Sequence, residues 1–145
     1  MLRALKLGDL LAAVPALRGL ARAFPDHRRV LAAPGWLAPL ALHTATVDEV
    51  VDTAPLAPLS DALHGADVAV NLHGRGPEST ATLAATSPGR LVAFGLPGLA
   101  EWDEEEHERH RWCRLLGSAG IDADPGDVTL PRPDVAVPLE GAEAH

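Results

Sequence analysis

An α/β fold organised around a parallel sheet is predicted by three features of the sequence. Short apolar runs alternate with longer stretches whose apolar residues recur every three or four positions, the pattern of strands joined by crossover helices. The run at residues 67–72, centred on Val68, Ala69 and Val70, reads as a strand buried on both faces near the middle of the sheet. A length of 145 residues suits one ordinary domain with a single sheet-centred core.

Residues 1–4 read as a first strand, short by a residue or two at its start, running into a turn over residues 5–9. Leu10, Leu11, Val14, Leu17, Leu20, Ala21 and Phe24 then fall on one face of a helix. Pro15 lacks a backbone donor, so the regular helix is expected to start or kink there, with residues 8–14 as an irregular first turn. Residues 29–33 form a second strand, and Pro34-Gly35-Trp36 turns into a short helix reaching about His43. Residues 47–52 form a third strand. The Pro- and Ala-rich connection at 53–65 carries at most a short helix around 60–63.

The fourth strand, at 67–72, releases a glycine-rich loop, followed by a helix at 78–86 and a fifth strand at 90–94. Asp103 with Glu106 three residues on matches a capping box, which predicts a helix from there to about Ser118. Trp112, Leu115, Leu116 and Ala119 make its apolar stripe, and Gly120 ends it. Pro125, Pro131, Pro133 and Pro138 follow without a core-forming period. The expected division is therefore a domain over residues 1–122 and a Pro-rich linker over 123–145.

Composition excludes several function classes. Hydrophobic residues at 47% and charged residues at 22% are ordinary for a folded soluble protein. The formal net charge of −8 opposes nucleic-acid binding, which needs clustered cations to neutralise phosphates. The early apolar stretch at 10–17 is too short to span a membrane and lacks a leader's cleavage pattern. Cys113 stands alone, so no intramolecular disulfide forms, in keeping with a reducing compartment. The expected location is the cytoplasm, with at most transient contact at the inner face of the cell membrane. Lysine occurs once, at Lys6, against eleven arginines, a bias typical of codon composition that takes functional weight off arginine counts.

In an open parallel sheet, ligands gather beyond the carboxyl ends of the strands. Two loops qualify, at residues 3–9 and 71–79. Asp9 suits two roles, an N-cap of the first helix or a general base for an attacking hydroxyl. Gly8 permits a tight turn or close ligand approach. Lys6 suits a phosphate or carboxylate contact, or simple solvation. His73 and Arg75, between Gly74 and Gly76, suit an anion or sugar hydroxyls, or a solvated turn. His107 and His110 with Glu106 lack a further ligand for a metal site and read as a solvated helix face. Trp36, Trp102 and Trp112 read as core or loop packing rather than sugar platforms. Cys113 reads as a small buried residue. No G-x-G-x-x-G follows the first strand, and there is no P-loop and no G-x-S-x-G elbow, so NAD, ATP and serine-hydrolase chemistry are not indicated.

Combined motifs carry a family resemblance. Arg3-x-x-Lys6-x-Gly8-Asp9, then Pro15-Ala16-Leu17-Arg18 and Ala23-Phe24-Pro25, resemble the start of glycosyltransferase family 9, the heptosyltransferase family. Asp67-Val68-Ala69-Val70-Asn71-Leu72-His73-Gly74 is similar to that family's fourth strand and loop, and Glu106 through Leu116 to one of its helices. The resemblance implies a Rossmann-like, acceptor-side N-terminal half of a two-domain GT-B enzyme, working in lipopolysaccharide or other cell-surface glycan synthesis. It implies inverting transfer without a metal or other cofactor, from a nucleotide-sugar donor held by a following C-terminal domain to a sugar or glycolipid acceptor. It places the catalytic base on Asp9, and acceptor contacts on Lys6, Gly8, His73, Gly74 and Arg75. The competing expectation, from a different class, is a non-catalytic Rossmann-like module that binds a sugar or a protein.

Overall fold

The computed structural model describes residues 1–3, 7–54 and 57–128. Among these residues, four short strands, β1 (Val30–Ala33), β2 (Glu49–Asp52), β3 (Val68–Val70) and β4 (Arg90–Val92), alternate with helices α1 (Leu7–Ala23), α2 (Ala38–His43), α3 (Glu78–Ala84) and α4 (Glu108–Ser118). β1 pairs in parallel with β2, with Val30 opposite Glu49, and β3 pairs in parallel with β4, with Val68 opposite Arg90. Leu2 joins the two pairs, bridging in parallel to Ala32 on one side and Asn71 on the other. The chain is thus a mixed α/β fold with parallel strand pairs, as the alternating pattern predicts.

Period-two alternation along these strands divides the apolar residues between two faces. Leu31, Ala33, Val70, Leu72, Val92 and Phe94 pack with Leu10, Leu17 and Leu20 of α1, Ala41 of α2, and Trp112, Leu115 and Leu116 of α4. Leu2, Ala32 and Ala69 face the other way, onto Leu83 of α3, with Leu59, Leu63 and Leu91 beside them. A fully buried leucine is worth roughly 1.5–3 kcal/mol, so the first cluster dominates the stability.

Several element boundaries differ from expectation. α1 runs unbroken through Pro15. Burial of Leu10, Ala13, Val14, Leu17 and Leu20 on one face offsets the roughly 3 kcal/mol that an interior proline costs a helix. α4 begins at Glu108, not Asp103. The Asp103 carboxylate instead accepts the Glu105 amide at 3.0 Å, closing a separate turn. His107 takes the capping role, its ring nitrogen accepting the Arg109 amide at 3.2 Å. Trp36 is 66% exposed, because the 3-10 turn Gly35–Leu37 points Leu37 inward and the indole out. Cys113 is buried in α4, and burial pushes its thiol up to about 11, as a small core residue would show.

Past α4, Gly120 takes a positive φ of 82° and turns the chain. Residues that follow return to α1, where Asp127 lies 3.5 Å from Arg18 and 2.9 Å from Arg22. Gly19 makes the close approach possible, since a Cβ there would stand 2.6 Å from the Asp122 carbonyl. The rest of the expected linker, residues 129–145, lies outside the described residues, as does Ala4 at the end of the expected first strand.

Candidate functional site

Arg3 follows the Leu2 bridge and Leu72 follows β3, so both stand at the carboxyl edge of the parallel strands. The Arg3 side chain is almost wholly buried there, at 1% exposure. Its Nε donates to the Asp9 carbonyl at 2.8 Å, and its Nη1 donates to the Leu72 carbonyl. Nη2 lies 3.4 Å from Glu108 Oε2 and 3.7 Å from Asp9 Oδ1. The guanidinium also stacks on Trp112, 4.8 Å from the ring centroid. Burial lowers the Arg3 pKa from its usual range, opposed by the negative charges of Glu108 and Asp9.

Two helix starts supply those carboxylates. Asp9 lies in the first turn of α1 and Glu108 in the first turn of α4, where the helix dipole favours negative charge. Asp9 is therefore inside the helix rather than its N-cap, which corrects that reading. Gly8 also belongs to α1, and a Cβ there would meet nothing within 4 Å, so no tight turn requires a glycine. Lys6 lies outside the described residues.

Asn71 anchors the second loop. Its buried amide donates to Ser79 Oγ at 2.9 Å and Thr80 Oγ1 at 3.1 Å, while its carbonyl oxygen accepts the His73 amide at 2.9 Å. This sets half-buried His73 beside the Arg3 and Asp9 charges. Burial first, then Arg3, lowers the His73 pKa, with Asp9 acting in the opposite sense. Arg75 is turned elsewhere, 2.9 Å from Glu104 and 66% exposed, and Gly74 leaves open space around it. The structure brings Asp9 and His73 together around Arg3, but not Arg75.

The His73 shift has a directional consequence. Its folded pKa lies below the ordinary 6.5, so the unfolded chain takes up the proton first. The His73 contribution to stability is whole above that ordinary value and falls as pH drops through the lower folded one. Replacing His73 with glutamine is expected to flatten the loss of stability on acidification below pH 6.5. Urea unfolding at a series of pH values checks this, and identical slopes for the two chains would refute it.

Sequence reasoning gave Glu108 and Arg111 no role. Arg111 is buried, donates to the Asp103 carbonyl at 2.6 Å, pairs with Glu108 and stacks 3.8 Å from the Trp102 ring centroid. Glu108 thereby links both buried arginines. The one signal available was arginine placed among the apolar stripe residues of α4. His107 and His110 meet edge to face at 6.0 Å, and no cluster of three or more His, Cys, Asp and Glu among the described residues is arranged to hold a metal.

Two clefts lie away from this group. One of about 350 Å³ sits at the opposite, amino edge of the strands, and another lies between residues 58–64 and α3. The Asp9 and Glu108 carboxylates of this group are partly exposed. Among the described residues, no helix is long and apolar enough to cross a membrane. No protein-family model matches the chain, and no curated protein or solved structure matches it either.

Proposed function

We propose that this chain is the Rossmann-like, acceptor-side half of an inverting, heptosyltransferase-like glycosyltransferase of GT-B architecture. The supporting observation is the placement of Asp9. Its carboxylate, 38% exposed, stands at the carboxyl edge of the strands, 3.7 Å from a buried guanidinium that fixes its position. That is where an α/β sheet presents ligand groups, and a partly exposed carboxylate there is suited to proton transfer.

In this reading an acceptor hydroxyl oxygen attacks the anomeric carbon of a nucleotide sugar from the face opposite the leaving group. Asp9 takes the hydroxyl proton, the new glycosidic bond forms, and the bond to the nucleoside diphosphate breaks with its electron pair. Arg3 holds Asp9 in place, and His73 lines the acceptor side. The donor binds on a second domain, so this chain alone does not turn over. Acceptors are sugars or glycolipids, and contact with the inner face of the cell membrane is transient.

The test joins this chain to the donor domain of a family 9 enzyme and compares it with its Asp9→Asn variant. Loss of the base is expected to lower kcat at least about a hundredfold, with the acceptor KM and thermal midpoint little changed. Equal turnover by the two would remove Asp9 as the base and leave a non-catalytic sugar- or protein-binding module.

A further inference from the structure

The turn that leaves β1 holds an indole out in water. Trp102 and Trp112 pack around Phe94, at ring separations of 5.2 and 5.8 Å, whereas Trp36 is 66% exposed. Its backbone is fixed from both sides. The Leu37 amide donates to the Pro34 carbonyl at 3.0 Å, and the Leu37 side chain is buried. One residue before the indole, the Gly35 amide donates to Asp52 Oδ1 at 2.7 Å. A Cβ at Gly35 would stand 3.2 Å from that oxygen, so glycine is what lets the carboxylate come this close. An aromatic ring presented on a loop that a rigid scaffold positions is the arrangement of a contact residue.

Trp36 and Asp52 share the carboxyl edge of the strands with Asp9. Ala33, the last residue of β1, stands opposite Asp52, the last of β2. On the other side of β1, the Arg3 amide donates to the Ala32 carbonyl at 2.9 Å. The order along the edge is therefore Asp52, the Trp36 turn, the Leu2 line leading to Asp9, and β3 leading to His73. Neighbouring strands lie about 4.8 Å apart, close to the width of one pyranose ring. The Trp36 turn thus lies one ring to the side of the line that carries Asp9.

We propose that Trp36 is a stacking platform for a second sugar ring of the acceptor, with Asp52 accepting from that ring's hydroxyls, so that the acceptor is an oligosaccharide rather than a single sugar. The inference rests on the acceptor-side reading above and adds the substrate class to it. A pyranose carries C–H groups on one face, slightly positive, which the negative face of an indole attracts. Hydroxyls at the rim of the ring need acceptors. A carboxylate offers about four lone-pair sites, the Asp52 side chain is exposed, and the Gly35 amide takes one of them. Its charge strengthens the hydrogen bonds it accepts and repels an anionic ligand, which selects a neutral glycan. With the reacting hydroxyl of the terminal ring at Asp9, the next ring falls over Trp36.

The test measures the 145-residue chain on immobilised neutral hexose, heptose and N-acetylhexosamine monosaccharides and disaccharides, beside Trp36→Ala and Trp36→Phe. Disaccharides are expected to hold the wild-type chain at least about tenfold more tightly than the single sugars. Trp36→Ala is expected to remove that difference and Trp36→Phe to keep most of it, with thermal midpoints little changed because the ring is exposed. Equal signals from the wild type and Trp36→Ala on every sugar, at whatever level, or disaccharides held no better than single sugars, would overturn the platform. Failure of the Asp9 reading looks different: a fused chain that keeps its turnover as Asp9→Asn, while sugar binding still depends on Trp36, would remove the base and keep the platform.

Discussion

Replacing Trp112 with alanine is expected to remove about 4 kcal/mol of stability, the middle of the range for truncating a buried aromatic. The side chain is 1% exposed and belongs to the larger core cluster. Its ring meets Phe94 at 5.8 Å and Trp102 at 6.0 Å, and carries the Arg3 guanidinium on its face. Alanine would leave a cavity between α4 and the sheet and strip the apolar cover from a buried cation. Domains of this size hold only about 5–15 kcal/mol in all, so a large share of the stability goes. Trp112→Phe is expected to cost much less, because the indole nitrogen has no hydrogen-bond partner among the described residues. Urea unfolding of the three chains decides it, and a Trp112→Ala loss under about 1 kcal/mol would show that the site collapses around the gap.

Arg3→Met is expected to cost about 3 kcal/mol, the low end for breaking a buried charge pair. Methionine restores much of the volume but leaves the Asp9 and Leu72 carbonyls without the donors they have now. The low end applies because Glu108 and Asp9 are 41% and 38% exposed, so their carboxylates regain water. Arg3→Lys is not expected to rescue, since an ammonium lacks the planar fork that reaches two carbonyls and two carboxylates at once. Equilibrium unfolding at neutral pH reads the effect. Wild-type stability in Arg3→Met would mean that the network holds position without adding stability.

Where the sequence was legible, a local period or a single residue's geometry decided the outcome. The three- and four-residue steps from Leu10 to Leu20 announced α1, and the stripe Trp112, Leu115, Leu116 and Ala119 announced α4 with its glycine stop. Val68-Ala69-Val70 was readable as an interior strand. Where competing local rules met, tertiary packing chose. Pro15 stayed inside a helix because the buried face outweighed the lost donor, and Asp103 lost the cap to His107. The site was readable only as two loops. Arg3 and Glu108 are 105 residues apart, and no local pattern marks two such groups as neighbours. Compositional bias hid the rest: among so many arginines, Arg3 carried no local sign of burial, and Arg111 only its place beside the apolar stripe of α4.

The Leu2 bridge also sets an order of events for folding. Arg29 reaches Asp48 across 19 residues, whereas Arg3 reaches Leu72 across 69. Closing the longer loop costs more chain entropy before any contact repays it. Each strand pair with its own crossover forms over a short loop, and the seam at Leu2 closes after them. That closure also brings the Asp9 and His73 loops together, ahead of the still longer one that carries Glu108 to Arg3 across 105 residues, so an ordered pair of loops reports a joined sheet.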